Sequence, residues 1–229
     1  MPFRDDFLKS AFSVDNVIFG FDKGKLKILL IKRNEDPYKD MWALPGELVY
    51  PEEDLDDAPK RVLEEATGLK NVFLEQVATF GKVGRHPLGR VITVAYYSLV
   101  KISKVKPIAK AFAGEVAWID VYSIKEMAFD HYDIIQECLK QLKLNLRIRP
   151  IGFELLREKF TLTELQSLYE TVLGKSLDKR NFRKKILAMG ILEDVKEYQS
   201  GVAHRPAKLY QFNREKYLMS LEEGFSFDI

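Results

Sequence analysis

The chain has 229 residues, of which 46% are hydrophobic and 12% aromatic, and its 36 lysines and arginines nearly balance its 34 acidic residues. This composition is enough to form a hydrophobic core and excludes an intrinsically disordered protein. The single cysteine, Cys138, excludes an internal disulfide and a thiolate cluster for zinc or iron.

No segment has the composition of a secretion signal or a membrane span. Residues 1–6 lack the basic region and apolar stretch that open a signal peptide. The longest apolar run, residues 91–100, has about half the length of a membrane-spanning helix. We therefore expect a cytoplasmic protein with no membrane partner.

The first part of the chain, residues 1–146, is predicted to combine strands with two amphipathic helices. Apolar and β-branched runs predict strands over residues 16–21, 26–33, 77–80, 90–100 and 115–119. The first two strands are separated by a turn signal and should form a hairpin. Helical spacing of apolar residues predicts helices over 54–66, with Gly68 as the stop, and 132–144.

A second domain is expected over residues 147–229. A threonine and a glutamate, Thr161 and Glu164, form a capping-box pattern that starts a helix, and Gly174 ends it. The predicted elements are helices over 151–160, 161–173 and 179–189, followed by strands over 191–196 and 208–212. Three helices followed by a hairpin are the order of a winged helix-turn-helix domain.

The third of these helices has the basic residues that a DNA-recognition helix needs. Its opposite side, with Phe182, Ile186, Leu187 and Met189, is predicted to face the core. The candidate DNA-binding residues on this helix and in the hairpin loop are Lys179, Arg180, Asn181, Arg183, Lys184, His204, Arg205 and Lys208. A basic helix can also be a solvated surface, but the order of the elements favours double-stranded DNA as the partner.

The segment 44–69 resembles the Nudix box, G-x5-E-x7-R-E-U-x-E-E-x-G-U, in which U is apolar. In the Nudix family the carboxylates of this motif bind Mg²⁺, which positions water to cleave a pyrophosphate. The preferred register starts at Glu47, matches Glu53, Arg61, Leu63, Glu65, Gly68 and Leu69, and places Val62 and Ala66 where the motif has acids. A second register starts at Gly46 and keeps Glu52, Glu64 and Glu65, but it places Lys60 and Arg61 at the R-E pair and loses the ending.

In the preferred register the metal-binding face of this helix is largely apolar. Val62 and Ala66 are one helical turn apart, beside Glu65. Arg61 can pair with Glu65 and with Glu53, which gives these acids a structural role. We therefore expect no catalytic residue, no bound metal and no cofactor. The alternative is an active Nudix hydrolase of ADP-ribose or a related nucleoside diphosphate derivative, using the acids of the second register.

The two halves together resemble the Nudix-related transcriptional regulators, bacterial repressors or activators that sense a ligand in the former enzyme pocket. The segments 37–46, 84–90, 177–185 and 204–207 carry this resemblance. It implies an α+β fold, in which an N-terminal Nudix-like α/β/α sandwich with a mixed sheet precedes a C-terminal winged helix-turn-helix domain. It also implies a homodimer on pseudo-palindromic operator DNA.

The resemblance leaves two effectors open, ADP-ribose and a sugar such as the pentose arabinose. Glu47 replaces a glycine beside the pyrophosphate path, where a carboxylate would repel phosphate and could accept hydrogen bonds from sugar hydroxyls. This favours a neutral sugar. The candidate ligand-binding residues, expected between the sheet and the helix of the Nudix box, are Arg33, Trp42, Glu47, Phe80, Lys82, Arg85 and Arg90. A non-sequence-specific RNA or protein adaptor is the remaining alternative.

Overall fold

The structure is a computed structural model that describes residues 10–105, 107–108, 113–201, 205–223, 225 and 227–229. The described chain forms two compact units. One contains residues 10–20 and 27–141, and the other contains residues 21–26 and the described residues from 142 onwards. None of the helices in these described ranges is long and apolar enough to cross a membrane.

A mixed β-sheet forms the centre of the first part of the chain. Its elements, in chain order, are β1 (Ala11–Asp22), β2 (Lys25–Arg33), β3 (Trp42–Ala43), β4 (Gly46–Leu48), helix α1 (Ala58–Thr67), β5 (Phe73–Phe80), β6 (Val91–Val100), β7 (Ala113–Asp120) and helix α2 (His131–Ile148). The strand order is β3-β2-β1-β6-β5, with β4 paired to β1 and β7 paired to β2. Strands β1 and β6 are parallel, and β4, β3, β7 and β5 pair antiparallel with their neighbours.

The predicted strands are present, and β1 and β5 are longer than predicted. Pairing with β6 extends both, because Ala11 lies opposite Val91 and Phe73 lies opposite Leu99. The predicted hairpin is confirmed, since β1 and β2 are neighbours joined by a turn at residues 23–24. The chain therefore has the predicted Nudix-like α/β/α fold with a mixed sheet.

Helix α1 is the helix of the Nudix box and packs on the sheet. Val62 is buried in a cluster with Val14, and Leu63 is buried in a cluster with Ile18. Each fully buried aliphatic side chain contributes about 1.5–3 kcal/mol. The helix begins at residue 58 rather than at the predicted residue 54, because Pro59 has no N–H to donate and is compatible only with the first turn.

Helix α2 extends further than the sequence predicts. Ile134, Cys138, Leu142 and Leu146 are all buried at a spacing of four residues, so the apolar stripe continues past residue 144. The predicted domain boundary between residues 146 and 147 lies in the last turn of this helix and stays a prediction.

The later part of the chain has the winged helix order. Its elements are a 3₁₀ helix (Pro150–Glu154), α3 (Leu162–Leu173), α4 (Lys179–Ala188), β8 (Leu192–Tyr198), β9 (Lys208–Phe212) and α5 (Arg214–Glu222). Strands β8 and β9 pair antiparallel as the predicted hairpin. Helix α5 was not predicted. Its apolar residues Leu218, Met219 and Leu221 are exposed, and the helix has no buried side whose periodic apolar pattern the sequence could show.

The predicted helix over residues 151–160 is wrong beyond its first turn. The 3₁₀ helix ends at Glu154. Phe160 and Tyr210 exchange backbone hydrogen bonds of 3.0 and 2.8 Å, which is the pattern of an antiparallel bridge. Pairing with β9 therefore holds residue 160 in an extended conformation.

Helix α3 has the predicted capping box and glycine stop, and α4 has a cap that the sequence analysis did not predict. The Glu164 backbone N–H donates to Thr161 Oγ1 at 3.1 Å, and the Thr161 backbone N–H donates to Glu164 Oε2 at 2.8 Å. Gly174 ends α3 with a φ of 68°, and Asp178 caps α4. The prediction that Leu187 faces the core is wrong, because it is one residue beyond the buried Ile186 and the helix turns it towards solvent.

The capping box of α3 yields a stability prediction. We expect Thr161→Ala to have a free energy of unfolding about 1 kcal/mol below that of Thr161→Ser, because serine retains the hydroxyl that accepts from Glu164. Both variants lose the threonine methyl group, so their difference isolates the cap. Urea unfolding followed by circular dichroism measures it, and equal midpoints would show that the cap contributes nothing.

Candidate ligand cavity and DNA-binding surface

Two residues of the Nudix-box helix, at positions where the preferred register of the motif has acids, are part of the hydrophobic core. Val62 is 4% exposed and Ala66 is 7% exposed, each within a hydrophobic cluster under the sheet. Arg61 donates to both carboxylate oxygens of Glu53, at 2.7 and 2.8 Å, and lies 3.6 Å from Glu65. The hydrogen bonds from Arg61 lower the pKa of Glu53. The spacing argument for these pairs is confirmed.

The residues present do not fit the magnesium site that the Nudix family implies. Both oxygens of Glu53 are held by Arg61, and Glu64, an acid of the second register, lies 2.9 Å from Lys70 Nζ. In the described ranges no three His, Cys, Asp or Glu side chains converge as metal ligands. The two acids of the preferred register, Glu53 and Glu65, are thus paired with or close to Arg61.

A cavity of about 410 Å³ lies beside β1, on a different part of the sheet from the predicted location. It is lined by residues of β1, β2, β3 and β4, by the segment 85–91, and by residues 129 and 131. No residue of α1 lines it, because the buried side of α1 closes against the sheet. A larger cavity, of about 630 Å³, does lie against α1, but none of the seven predicted ligand-binding residues lines it.

The structure brings four of the predicted ligand-binding residues together. Arg33, Glu47, Arg85 and Arg90 line the cavity of about 410 Å³. The other three lie outside it and remain untested as ligand contacts. Trp42 precedes the lining residue Ala43 in β3, so strand alternation directs it to the opposite face; Phe80 lies on β5, and Lys82 is exposed in the following loop.

Asp15, which sequence reasoning missed, is the centre of the polar network in this cavity. Thr93 Oγ1 donates to Asp15 Oδ2 at 2.7 Å, and Ser13 Oγ donates to Thr93 Oγ1 at 2.8 Å. A Cβ at position 46 would lie 2.1 Å from Asp15 Oδ1, so this position requires glycine. The available sequence signal was an acidic residue inside an otherwise apolar strand.

Arg85 is anchored within the protein. Its Nε and Nη2 atoms donate to the two oxygens of Asp130 at 2.8 and 2.6 Å, and Nη2 lies 3.7 Å from Asp15. The side chain is 5% exposed. A bidentate pair of this kind fixes geometry as well as charge, so Arg85 ties the 85–91 segment to the start of α2.

His131 is a second cavity residue that the sequence did not indicate. The Leu44 backbone N–H donates to its Nδ1 at 2.9 Å, which places the proton of the neutral ring on Nε2, 3.5 Å from Asp15 Oδ1. Burial lowers the pKa of His131, and the charges of Asp15 and Asp130 only partly oppose this effect. The imidazole is therefore neutral at pH 7.

The surface of α4 contains most of the predicted DNA-binding residues. Lys179, Arg180, Asn181 and Lys184 are exposed. Arg183 is half-buried and donates from Nη2 to Thr163 Oγ1 at 2.9 Å. Arg183 therefore contacts α3, which departs from the surface position predicted for it; its spacing of one residue from the buried Phe182 is the reason.

The predicted wing residues lie between or at the start of the hairpin strands. Arg205 is exposed, and Lys208 pairs with Asp194 across the hairpin at 2.9 Å. His204 lies outside the described residues. The wing therefore presents Arg205 to solvent, with Lys208 already held by a carboxylate.

Comparison with protein-family models identifies both parts of the chain. Residues 9–138, more than half of the chain, match the NUDIX domain. The chain belongs to the Nudix family. Residues 152–212 of this Nudix protein match the NrtR DNA-binding winged helix domain.

Similarity to known regulators covers most of this Nudix protein. The ADPR responsive transcriptional repressor NtrR of Acinetobacter baylyi is 37% identical over 225 residues, which cover 93% of this chain and 86% of that protein. The crystal structure of Shewanella oneidensis NrtR complexed with a 27mer DNA has a TM-score of 0.80 at 28% identity, covering 94% of this chain and 97% of that one.

Two further similarities concern ADP-ribose. The NUDIX domain of Shewanella oneidensis NrtR complexed with ADP ribose has a TM-score of 0.54 at 28% identity, covering 62% of this chain and 94% of that one. The ADP-ribose pyrophosphatase of Methanocaldococcus jannaschii is 33% identical over 134 residues, which cover 58% of this chain and 76% of that protein. The similarity to an enzyme thus extends over little more than half of this Nudix protein.

The burial of His131 yields a pH prediction. A folded-state pKa below the ordinary value of about 6.5 means that the unfolded state binds more protons, so stability should fall as the pH drops below about 6.5. We expect His131→Asn to reduce this slope between pH 7.5 and 5.5, measured by urea unfolding. Burial and two nearby arginines also lower the pKa of His86, so His86→Asn should reduce the slope too, but by less, because its ring is only partly buried whereas His131 is 6% exposed. An unchanged slope in His131→Asn would contradict the assignment.

Proposed function

We propose that this chain is an ADP-ribose responsive, sequence-specific DNA-binding transcriptional repressor. The observation that carries the proposal is the 37% identity to an ADPR responsive repressor over 93% of the chain, which includes both family-matched domains. The exposed basic surface of α4 and the cavity beside β1 supply the two sites that such a repressor needs, one for DNA and one for an effector.

ADP-ribose is the effector that the observations favour. One of the similar proteins responds to ADP-ribose, another has been crystallised with ADP-ribose bound, and a third cleaves it. The cavity, at about 410 Å³, is within the usual size range of ligand pockets and has arginines beside Glu47 that can offset its repulsion of phosphate. The expectation of a sugar such as arabinose has no support among these relatives. We propose Arg33, Glu47 and Arg90 as ligand contacts, with Arg85 in a positioning role.

Operator binding is proposed for the exposed residues of α4 and for the wing. Lys179, Arg180, Asn181 and Lys184 are placed to contact bases and phosphates, and Arg205 to contact the backbone or an adjacent groove. Arg183 would instead position α4 against α3. A homodimer on a pseudo-palindromic site remains part of the proposal. The DNA bound by the Shewanella relative, a 27mer, is long enough for two half-sites one helical turn apart.

Loss of hydrolysis is the other part of the proposal. The acid positions of the preferred register are core residues, and Glu53 is held by Arg61. The pyrophosphatase relative favours the rival assignment, an active hydrolase of ADP-ribose. The two assignments differ in what they require of α1, because hydrolysis needs carboxylates free to bind a metal, whereas sensing does not.

Two predictions test the proposed function, and the first of these concerns DNA. The purified chain should bind one intergenic fragment flanking its own gene on the order of a hundredfold more tightly than random DNA of equal length, at about 150 mM salt. Arg180→Ala with Lys184→Ala should weaken this binding by about tenfold or more. Lys39→Ala with Lys140→Ala, which removes two exposed charges elsewhere, is the matched control. Saturating ADP-ribose should change the operator affinity by about fivefold or more, and arabinose should not.

Three outcomes would count against this assignment. Equal binding to all fragments would show a non-specific basic surface. Equal losses in the two double variants would show that net charge, rather than α4, drives binding. Tight binding of ADP-ribose without any change in operator affinity would remove the regulatory role, because an effector shifts an equilibrium only by its differential affinity for the two states.

The second prediction concerns hydrolysis. The wild-type chain incubated with ADP-ribose and Mg²⁺ should release AMP no faster than a protein-free control, because the box helix has no group of free carboxylates. Liquid chromatography of the nucleotides measures this rate. Mg²⁺-dependent AMP formation that Glu64→Gln abolishes would establish the rival hydrolase with the second register.

A further inference from the structure

The ligand cavity has two chemically different ends along β1. At the start of β1, Ala11 lies opposite Val91 and donates to the Arg90 carbonyl, so Arg90 belongs to this end. Asp15 is four residues further along, about 13 Å away in an extended strand. Its neighbours Arg85 and His131 mark the second end.

The second end is built around the ring of Phe129. His86 is stacked on this ring at 5.0 Å between centroids and 12° between planes, and Tyr38 meets it edge-on at 4.8 Å. The Arg33 guanidinium lies 5.2 Å from the ring centre. The backbone of Phe129 has a φ of 53°, which a phenylalanine adopts only where the surrounding structure holds it. The structure thus fixes one aromatic ring at the cavity wall.

The His86–Phe129 stack is offset, and both residues are only partly buried. Fully overlapped rings would lie about 3.5–4 Å apart, so nearly parallel rings with centroids 5.0 Å apart are displaced sideways. Both residues line the cavity. Burial, with the charges of Arg85 and Arg33, lowers the pKa of His86, so its ring is neutral at pH 7. An offset pair of neutral rings suits a third flat ring system.

The arginines at the two ends of the cavity differ in how far other groups of the protein already hold their charge. Arg85 is neutralised by Asp130, and Arg33 donates to the backbone carbonyl oxygens of Pro37 and Glu35 while it lies over Phe129. Arg90 is exposed, and its Nη1 atom donates to a backbone carbonyl oxygen. Arg90, at the end of the cavity away from the rings, is therefore the arginine best placed to bind a phosphate.

We infer that the base of a nucleotide ligand stacks on the His86–Phe129 pair, which makes His86 a specificity-determining residue for the nucleobase. This inference rests on the proposed function, because it concerns the adenine of ADP-ribose. The diphosphate then extends along β1 towards Arg90. Sugar phosphates without a base bind at the Arg90 end and do not contact His86.

The test compares His86→Ala with His86→Phe, which retains a ring, by calorimetric titration of the full chain. Val83→Ala, on the same loop and 82% exposed, is the matched control. The probes are ADP-ribose and ribose 5-phosphate, the latter at up to millimolar concentration. We expect His86→Ala to weaken ADP-ribose binding by about tenfold, and His86→Phe to bind within about twofold of the wild type. Ribose 5-phosphate should bind far more weakly than ADP-ribose to the wild-type chain.

Each contrary result has a distinct meaning. If the wild-type chain binds ADP-ribose but His86→Ala and His86→Phe lose affinity equally, the ring of His86 does not stack on the base, and the inference is wrong while the proposed function stands. Equal affinity of the wild-type chain for the two probes would also overturn it, because the base would then contribute nothing. No binding of ADP-ribose by the wild-type chain would overturn the proposed function and this inference together.

Discussion

The first domain depends on one buried carboxylate. Asp15 is 6% exposed, and burying such a charge costs several kcal/mol unless donors and positive groups surround it. Thr93, His131 and Arg85 approach its two oxygens, and the absence of a side chain at Gly46 leaves space for the Asp15 carboxylate itself. These contacts join β1, β4, β6, the 85–91 segment and the start of α2. Asp15, Arg85 and His131 all line the cavity, so the groups that surround this carboxylate also form part of the polar cavity wall.

The Nudix-box helix α1 is held both by apolar packing and by ion pairs. Val62 and Ala66, at positions where the preferred register of the motif has acids, add apolar surface to the core under the sheet. Arg61 donates hydrogen bonds to Glu53, and its guanidinium carbon lies 4.0 Å from the centre of the Tyr50 ring. The packing and the ion pairs of this helix hold it against the sheet.

The winged helix domain separates contact residues from residues that hold the contact helix. Arg180 and Lys184 are exposed on α4, whereas Arg183 donates to Thr163 of α3. Sequence position alone gave all three the same expected role, since each is basic and near the start of a recognition helix. A side chain one position from the buried Phe182 is carried towards the neighbouring helix by the 100° rotation per residue.

The sequence by itself determined most of the longer helices and strands, the capping box of Thr161, the glycine stops and the apolar positions of the box helix, because these depend on local backbone preferences and on periodicity. Only the tertiary structure decided where the cavity lies and that Asp15, Phe129 and His131 line it. Asp15 is far in sequence from Phe129 and His131, and only the tertiary fold places β1 beside the start of α2. The end of the segment 151–160 shows the same limit, since Phe160 becomes extended only by pairing with Tyr210.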